Sequence, residues 1–150
     1  MQVKGRVFVL EPLPMNGFEL DQRLAGDTLP VTMLESGPLL VMNDRRWPWL
    51  ILVPAFAGAV ELHELDADAA RRIHQETDLV AAALKRVTNC TKINTGALGN
   101  MVRQLHIHIV ARSEGDANWP GPVWGYGARV PYETGDAHQF ADRIKAALER

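Results

Sequence analysis

Residues 104–112 read "QLHIHIVAR", an alternation with period two. Successive side chains of a strand leave opposite faces, so Gln104, His106, His108 and Val110 share one face and Leu105, Ile107, Ile109 and Ala111 take the other. The second set predicts a core face. The first carries polar groups that must meet solvent or find partners, because an unpaired buried polar atom costs about 1–3 kcal/mol. One side therefore stabilises the fold and the other is open to chemistry.

Two apolar runs lie upstream, "LLVMN" and "WLILVP", separated by "DRRWP". They predict a hairpin of two core strands, closed by Pro54. In "LDADAARRIHQETDLVAAALKRV", Ile73, Thr77, Val80, Leu84 and Val87 recur at spacings of three and four behind Asp66 as N-cap, which predicts one long helix. A short extended piece, Lys92 to Asn94, then leads into a glycine loop in which Gly96 and Gly99 allow close approaches that side chains would obstruct. A last helix is predicted from about Ala137, with Asp136 as cap and Phe140, Ile144 and Leu148 four apart. The first 38 residues, rich in Pro and Gly, predict turns and short extended pieces. In "NWPGPVWGYG", Trp119, Trp124 and Tyr126 suit either a lid stacking on a base or a hydrophobic clasp, and the surrounding Pro and Gly favour the clasp. The order strand, strand, long helix, strand, strand, helix predicts an α+β fold: an antiparallel sheet with helices on one face, in one domain over 1–150.

Hydrophobic residues at 47% and charged ones at 23% exclude disorder as the main state. A net charge of -2 offers no general basic surface for a nucleic-acid backbone, so a small anionic ligand is the partner class left in play. No run approaches a membrane-spanning helix, and "VFVLEPLP", after Lys4 and Arg6, is too short and proline-broken for a secretory segment. Cys90, the one cysteine, can form no internal disulfide and reads as a buried, inert thiol in a reducing compartment, the cytoplasm.

Three readings fit two imidazoles on one strand face. His-x-His can converge on a metal, but needs a third ligand, and His63, His74 and His138 supply only the residue type, with no His-Glu-x-x-His motif. A neutral imidazole can instead attack phosphorus, splitting one hard displacement into two, if nearby amides hold the phosphate oxygens. "NTGALGN" lies just upstream to do so. The third reading is a pair of structural histidines with satisfied hydrogen bonds. Arg45 and Arg46, at the hairpin tip, read as solvated rather than phosphate-binding.

From Asn43 through Arg112 the chain resembles the histidine triad (HIT) superfamily of nucleotide hydrolases and transferases. The family's His-φ-His-φ-His-φ-φ signature, φ being apolar, appears as "QLHIHIV", and its upstream amide and glycine loop as "INTGALGN". The segments "WPWLILVP" and "WPGPVWG" resemble those of bacterial HIT-like proteins. The resemblance implies that His106 attacks the α-phosphorus of a nucleotide ester, anhydride or phosphoramidate, and that water then releases the nucleoside monophosphate, with no metal or other cofactor. It implies phosphate or leaving-group contacts from His108, Gln104, Asn94, Asn100 and Gly99, a ribose contact from Asn43, and a homodimer. Three positions depart from the pattern. Gln104 replaces the first histidine; Trp49 stands where several branches place another active-site histidine and reads as a pocket wall; Met101 replaces a common Ser or Thr. All three remove proton donors or acceptors, and general acid–base help is worth about 10²–10⁴ in rate, so a catalytically weak nucleotide binder is the alternative.

Overall fold

The computed structural model describes residues 17–150. Lys4, Arg6 and "VFVLEPLP" lie outside the described residues. Five strands form one antiparallel sheet in the order β1-β2-β3-β5-β4: β1 (Thr28–Met33), β2 (Pro38–Met42), β3 (Trp49–Leu52), β4 (Lys92–Gly96) and β5 (Ile107–Arg112). The α+β expectation therefore holds, and β2 and β3 are the hairpin that the apolar runs predict.

The element the sequence pattern missed is β1, preceded by a short helix α1 (Gln22–Asp27). Pro30 argues against a strand because it has no N–H to donate. Here it lies on the edge strand, next to a register shift between Pro30 and Thr32, where the missing donor is tolerated.

Helix α2 (Ala67–Thr88) begins as expected, with the Asp66 carboxylate accepting from the Ala69 N–H. It ends at Asn89, whose φ of 52° suits a residue that tolerates the left-handed region. Ile73, Val80 and Leu84 are buried against Leu50, Leu52, Ile107 and Ile109. Thr77, on the same face, bonds its hydroxyl to the Ile73 carbonyl. Helix α3 (Asp136–Leu148) adds Phe140, Ala141 and Ile144 to this core, and its cap is Gly135 rather than Asp136. Among the described residues no helix is long and apolar enough to cross a membrane.

The opposite face, expected to be open, carries a second apolar cluster: Phe18, Leu24, Leu40, Trp47, Trp49, Ile51, Val53, Val110 and Val123. These residues come from short pieces far apart in sequence, which no local periodicity reveals. Arg46 is likewise not solvated. It pairs with buried Asp44 at 2.6 Å and lies 4.4 Å from the Trp47 ring centre. Cys90 is buried, as expected.

Candidate active site

The ladder of β5 starts at Ile107, so His106 sits at the mouth of the strand, one residue outside it. Its backbone neighbour is fixed by the Leu105 N–H donating to the Ala59 carbonyl at 3.0 Å. The imidazole is 6% exposed, and its Nδ1 lies 2.6 Å from the Gln104 carbonyl oxygen. A carbonyl only accepts, so Nδ1 carries the proton and Nε2 keeps its lone pair. His106 borders a cleft of about 400 Å³, lined by Val60 and Glu61, by Ala97, Leu98, Gly99 and Asn100, and by Arg103, Gln104 and Leu105. What constrains Gly99 is the backbone: a Cβ there would crowd the Val102 carbonyl at 3.0 Å, while it would meet His106 Cε1 only at an ordinary 3.9 Å.

His108 has the opposite tautomer. The Trp49 indole N–H, which can only donate, points at His108 Nδ1 from 3.0 Å and leaves the proton on Nε2. The ring is 5% exposed, with Trp49 and Trp124 each 5.5 Å away and His106 at 4.8 Å between centroids. Trp124 reaches it over Gly96, where a Cβ would meet the indole at 3.3 Å. Burial, aided by the neighbouring His106, pushes the His108 pKa from 6.5 down to about 3.

That displacement has a consequence for stability. Below pH 6.5 the unfolded chain binds a proton that the folded chain refuses, so stability falls as pH drops from 6.5 towards 3 and is unaffected by this group above that window. At pH 5, about 1.5 units below the ordinary value, the expected loss is about 2 kcal/mol relative to pH 8. Urea unfolding of the native chain and of His108→Gln at both pH values checks this. The variant should lose correspondingly less on acidification, and equal losses would assign the acid sensitivity elsewhere.

The residues singled out from the sequence divide into those at the cleft and those elsewhere. Gly99, Asn100, Gln104 and His106 line it, and His108 stands directly behind His106. Gln104 is engaged at both ends of its amide: Nε2 donates to the Glu19 carbonyl at 2.7 Å and Oε1 accepts from the Asp21 N–H at 2.9 Å. Trp49, expected as a pocket wall, is buried behind His108 as a hydrogen-bond donor and does not border this cleft.

Asn94 and Asn43 are also placed away from it. Asn94 pairs with Val110, two residues along from the Gly96–His108 pair, and its Oδ1 faces Arg112 at 3.5 Å. Asn43 lies past the end of β2 remote from His106, because Leu39 is the β2 residue aligned, through Leu52, with Ile107. Its Oδ1 accepts from the Tyr132 N–H at 3.0 Å.

The sequence reading missed Glu61 and Arg103. Arg103 is an exposed cation that forms no ion pair among the described residues, and its place between the glycine loop and His106 was a usable signal. Glu61 had none, since its loop is brought alongside by a contact distant in sequence, the Leu105 N–H donating to the Ala59 carbonyl. Trp119 and Tyr126 form a clasp rather than a lid: Trp119 lies 5.6 Å from the Arg112 guanidinium and Tyr126 packs edge-on to Trp47. His63, His74 and His138 join no group of three potential metal ligands among the described residues.

A family model described as the HIT domain matches residues 32–115. A histidine triad (HIT) protein from Sinorhizobium meliloti 1021 is 51% identical, with a TM-score of 0.87 over 89% of this chain and 98% of that one. Histidine triad proteins from Bradyrhizobium japonicum and Marinobacter aquaeolei VT8 are each 39% identical, with TM-scores of 0.85 over 88% of this chain and, respectively, 98% and 96% of theirs. No curated protein matches the chain.

Proposed function

Because the chain belongs to the HIT domain family, we propose that it is a nucleotide phosphohydrolase or nucleotidyl transferase that acts on the α-phosphate of a nucleotide conjugate. The observation that carries this reading is His106 Nδ1 held on the Gln104 carbonyl beside the cleft, an arrangement that makes Nε2 the lone-pair nitrogen of the neutral ring. The Nε2 lone pair attacks the α-phosphorus, a P–N bond forms, and the bond to the leaving group breaks with its electron pair going to that group. Water then attacks the same phosphorus and loses a proton to solvent, the electrons of the P–N bond return to Nε2, and nucleoside monophosphate leaves. His108, held neutral, offers its Nε2–H towards the phosphate oxygens, while Gly99 and Asn100 of the glycine loop supply amide donors. The reading places the enzyme in the cytoplasm as a homodimer, with light scattering as the check on assembly.

The leaving group receives little acid help. Gln104 has no proton to give at neutral pH and its amide is engaged, Met101 is apolar, and His108 does not become cationic. Arg103 offers charge instead. A phosphate chain, stable as an anion, therefore leaves more readily than an alkylamine, which must be protonated. The kcat/KM for a dinucleoside polyphosphate is expected to exceed that for an adenosine phosphoramidate of an alkylamine by about 10² or more. Product analysis by chromatography checks this, and equal values would contradict it. The same missing acid supports the second reading, a nucleotide binder with little turnover, for which calorimetry would show binding of both compounds and no monophosphate would form.

A further inference from the structure

We propose that Gln104 is a positioning residue: its side chain clamps the Glu19–Asp21 segment and so fixes its own main-chain carbonyl, on which the His106 ring is oriented. The proposal rests on the reading of His106 as nucleophile.

Residues just before Ile107 lie outside the sheet ladder, so the carbonyl of Gln104 cannot rely on strand pairing for its place. Yet that oxygen accepts from His106 Nδ1 and decides the ring's rotation and tautomer. Three ties hold the stretch instead. Gln104 Nε2 donates to the Glu19 carbonyl and Oε1 accepts from the Asp21 N–H, 85 and 83 residues away in sequence. Arg23 Nη1 donates to the Met101 carbonyl at 2.9 Å. Leu105 N–H donates to Ala59. The anchoring segment is itself firm, flanked by Phe18 and Leu24 in the second apolar cluster.

This accounts for the residue type. One backbone carbonyl and one backbone N–H must be met from the end of a single side chain, which requires a donor and an acceptor on adjacent atoms; a Gln amide has both, a carboxylate only acceptors, an ammonium only donors. It also accounts for Met101, whose side chain is 84% exposed: what the fold uses there is the backbone oxygen. Gln104 thus acts as a brace rather than a proton carrier, and a ring misplaced by about 1 Å costs on the order of 10²-fold in rate.

The test uses Gln104→Glu, isosteric but unable to donate to Glu19, and Gln104→Ala, each checked for folding by circular dichroism. Should Gln104→Ala fail to fold, Gln104→Glu carries the test. With a dinucleoside polyphosphate, kcat and the single-turnover rate of nucleotidyl-His106 formation are expected to fall 10–100-fold with KM changed less than about threefold. Nitrogen-15 NMR of the His106 ring should show one Nδ1–H tautomer in the native chain and a mixture in the variants. An unchanged tautomer in folded Gln104→Glu would overturn the clamp, whether or not the native chain turns substrate over. So would a raised KM at constant kcat, the mark of a substrate contact. Absence of any nucleotidyl adduct in the native chain would strike the proposed function instead, and the NMR result would still decide the clamp.

Discussion

His106→Ala is expected to lower hydrolysis of a dinucleoside polyphosphate by at least about 10³-fold, roughly 4 kcal/mol of transition-state stabilisation. The effect is large because the other groups at the cleft only position or polarise. Gln104 is amide-engaged, His108 is a fixed neutral donor, and Arg103 is a charge. None can take over the attack on phosphorus. The fold should survive, since the ring adds a single hydrogen bond worth about 1 kcal/mol at a residue just outside β5, whose own ladder is paired on both sides. Steady-state kinetics with a urea-unfolding control checks both statements. Activity in the variant equal to that of the native chain would remove His106 from the chemistry.

The second large effect concerns stability. Arg112, 1% exposed at the end of β5, grips Asp116 with two nitrogens, Nε–Oδ2 at 2.8 Å and Nη2–Oδ1 at 2.7 Å, and donates from Nη1 to the Gly121 carbonyl at 2.7 Å. It also lies against the Trp47 and Trp119 rings. Arg112→Met keeps much of the volume but leaves the Gly121 carbonyl without its donor and the Asp116 carboxylate with the Ser113 N–H but no countercharge, and removing one side of a buried pair costs about 3–5 kcal/mol. Urea unfolding should register a loss of that size, and a loss under 1 kcal/mol would mean that water replaces the guanidinium. Because Arg112 ties down the loop that presses Trp124 onto His108, the histidine pair should also lose order, visible as broadened His108 ring signals in the variant.

The particular elements show what a single sequence can reveal. Helix α2 was legible because a cap and an apolar period agree, and β2, β3 and β5 because their apolar runs are compact. Strand β1 was hidden by Pro30, whose meaning depends on whether the strand lies at an edge, a fact of tertiary topology. From its alternation alone the polar face of the histidine strand is expected to be open, whereas Phe18, Trp47 and Val123 close over much of it from three separate stretches.

The same limit governs the site. His106, Gly99 and Asn100 are within a few residues of one another, and the chain brings them together locally. Asn43 and Asn94 do not border the described cleft, because register, not spacing, decides which end of a strand faces it. Trp49 was found, but its contact with His108 depends on a cross-strand neighbourhood that spans 59 residues. Glu61 required a loop contact that no pattern encodes.

The central claim is that the unprotonated Nε2 of His106 attacks the nucleotide's α-phosphorus. Rapid quenching of the protein with a dinucleoside polyphosphate, followed by intact-mass and peptide mass spectrometry, tests it most directly. The expected result is a transient gain of one nucleoside monophosphoryl group, mapped to His106 and absent in His106→Ala. Release of monophosphate with no adduct at any quench time, in a reaction that inverts a chiral α-phosphorus, would contradict it.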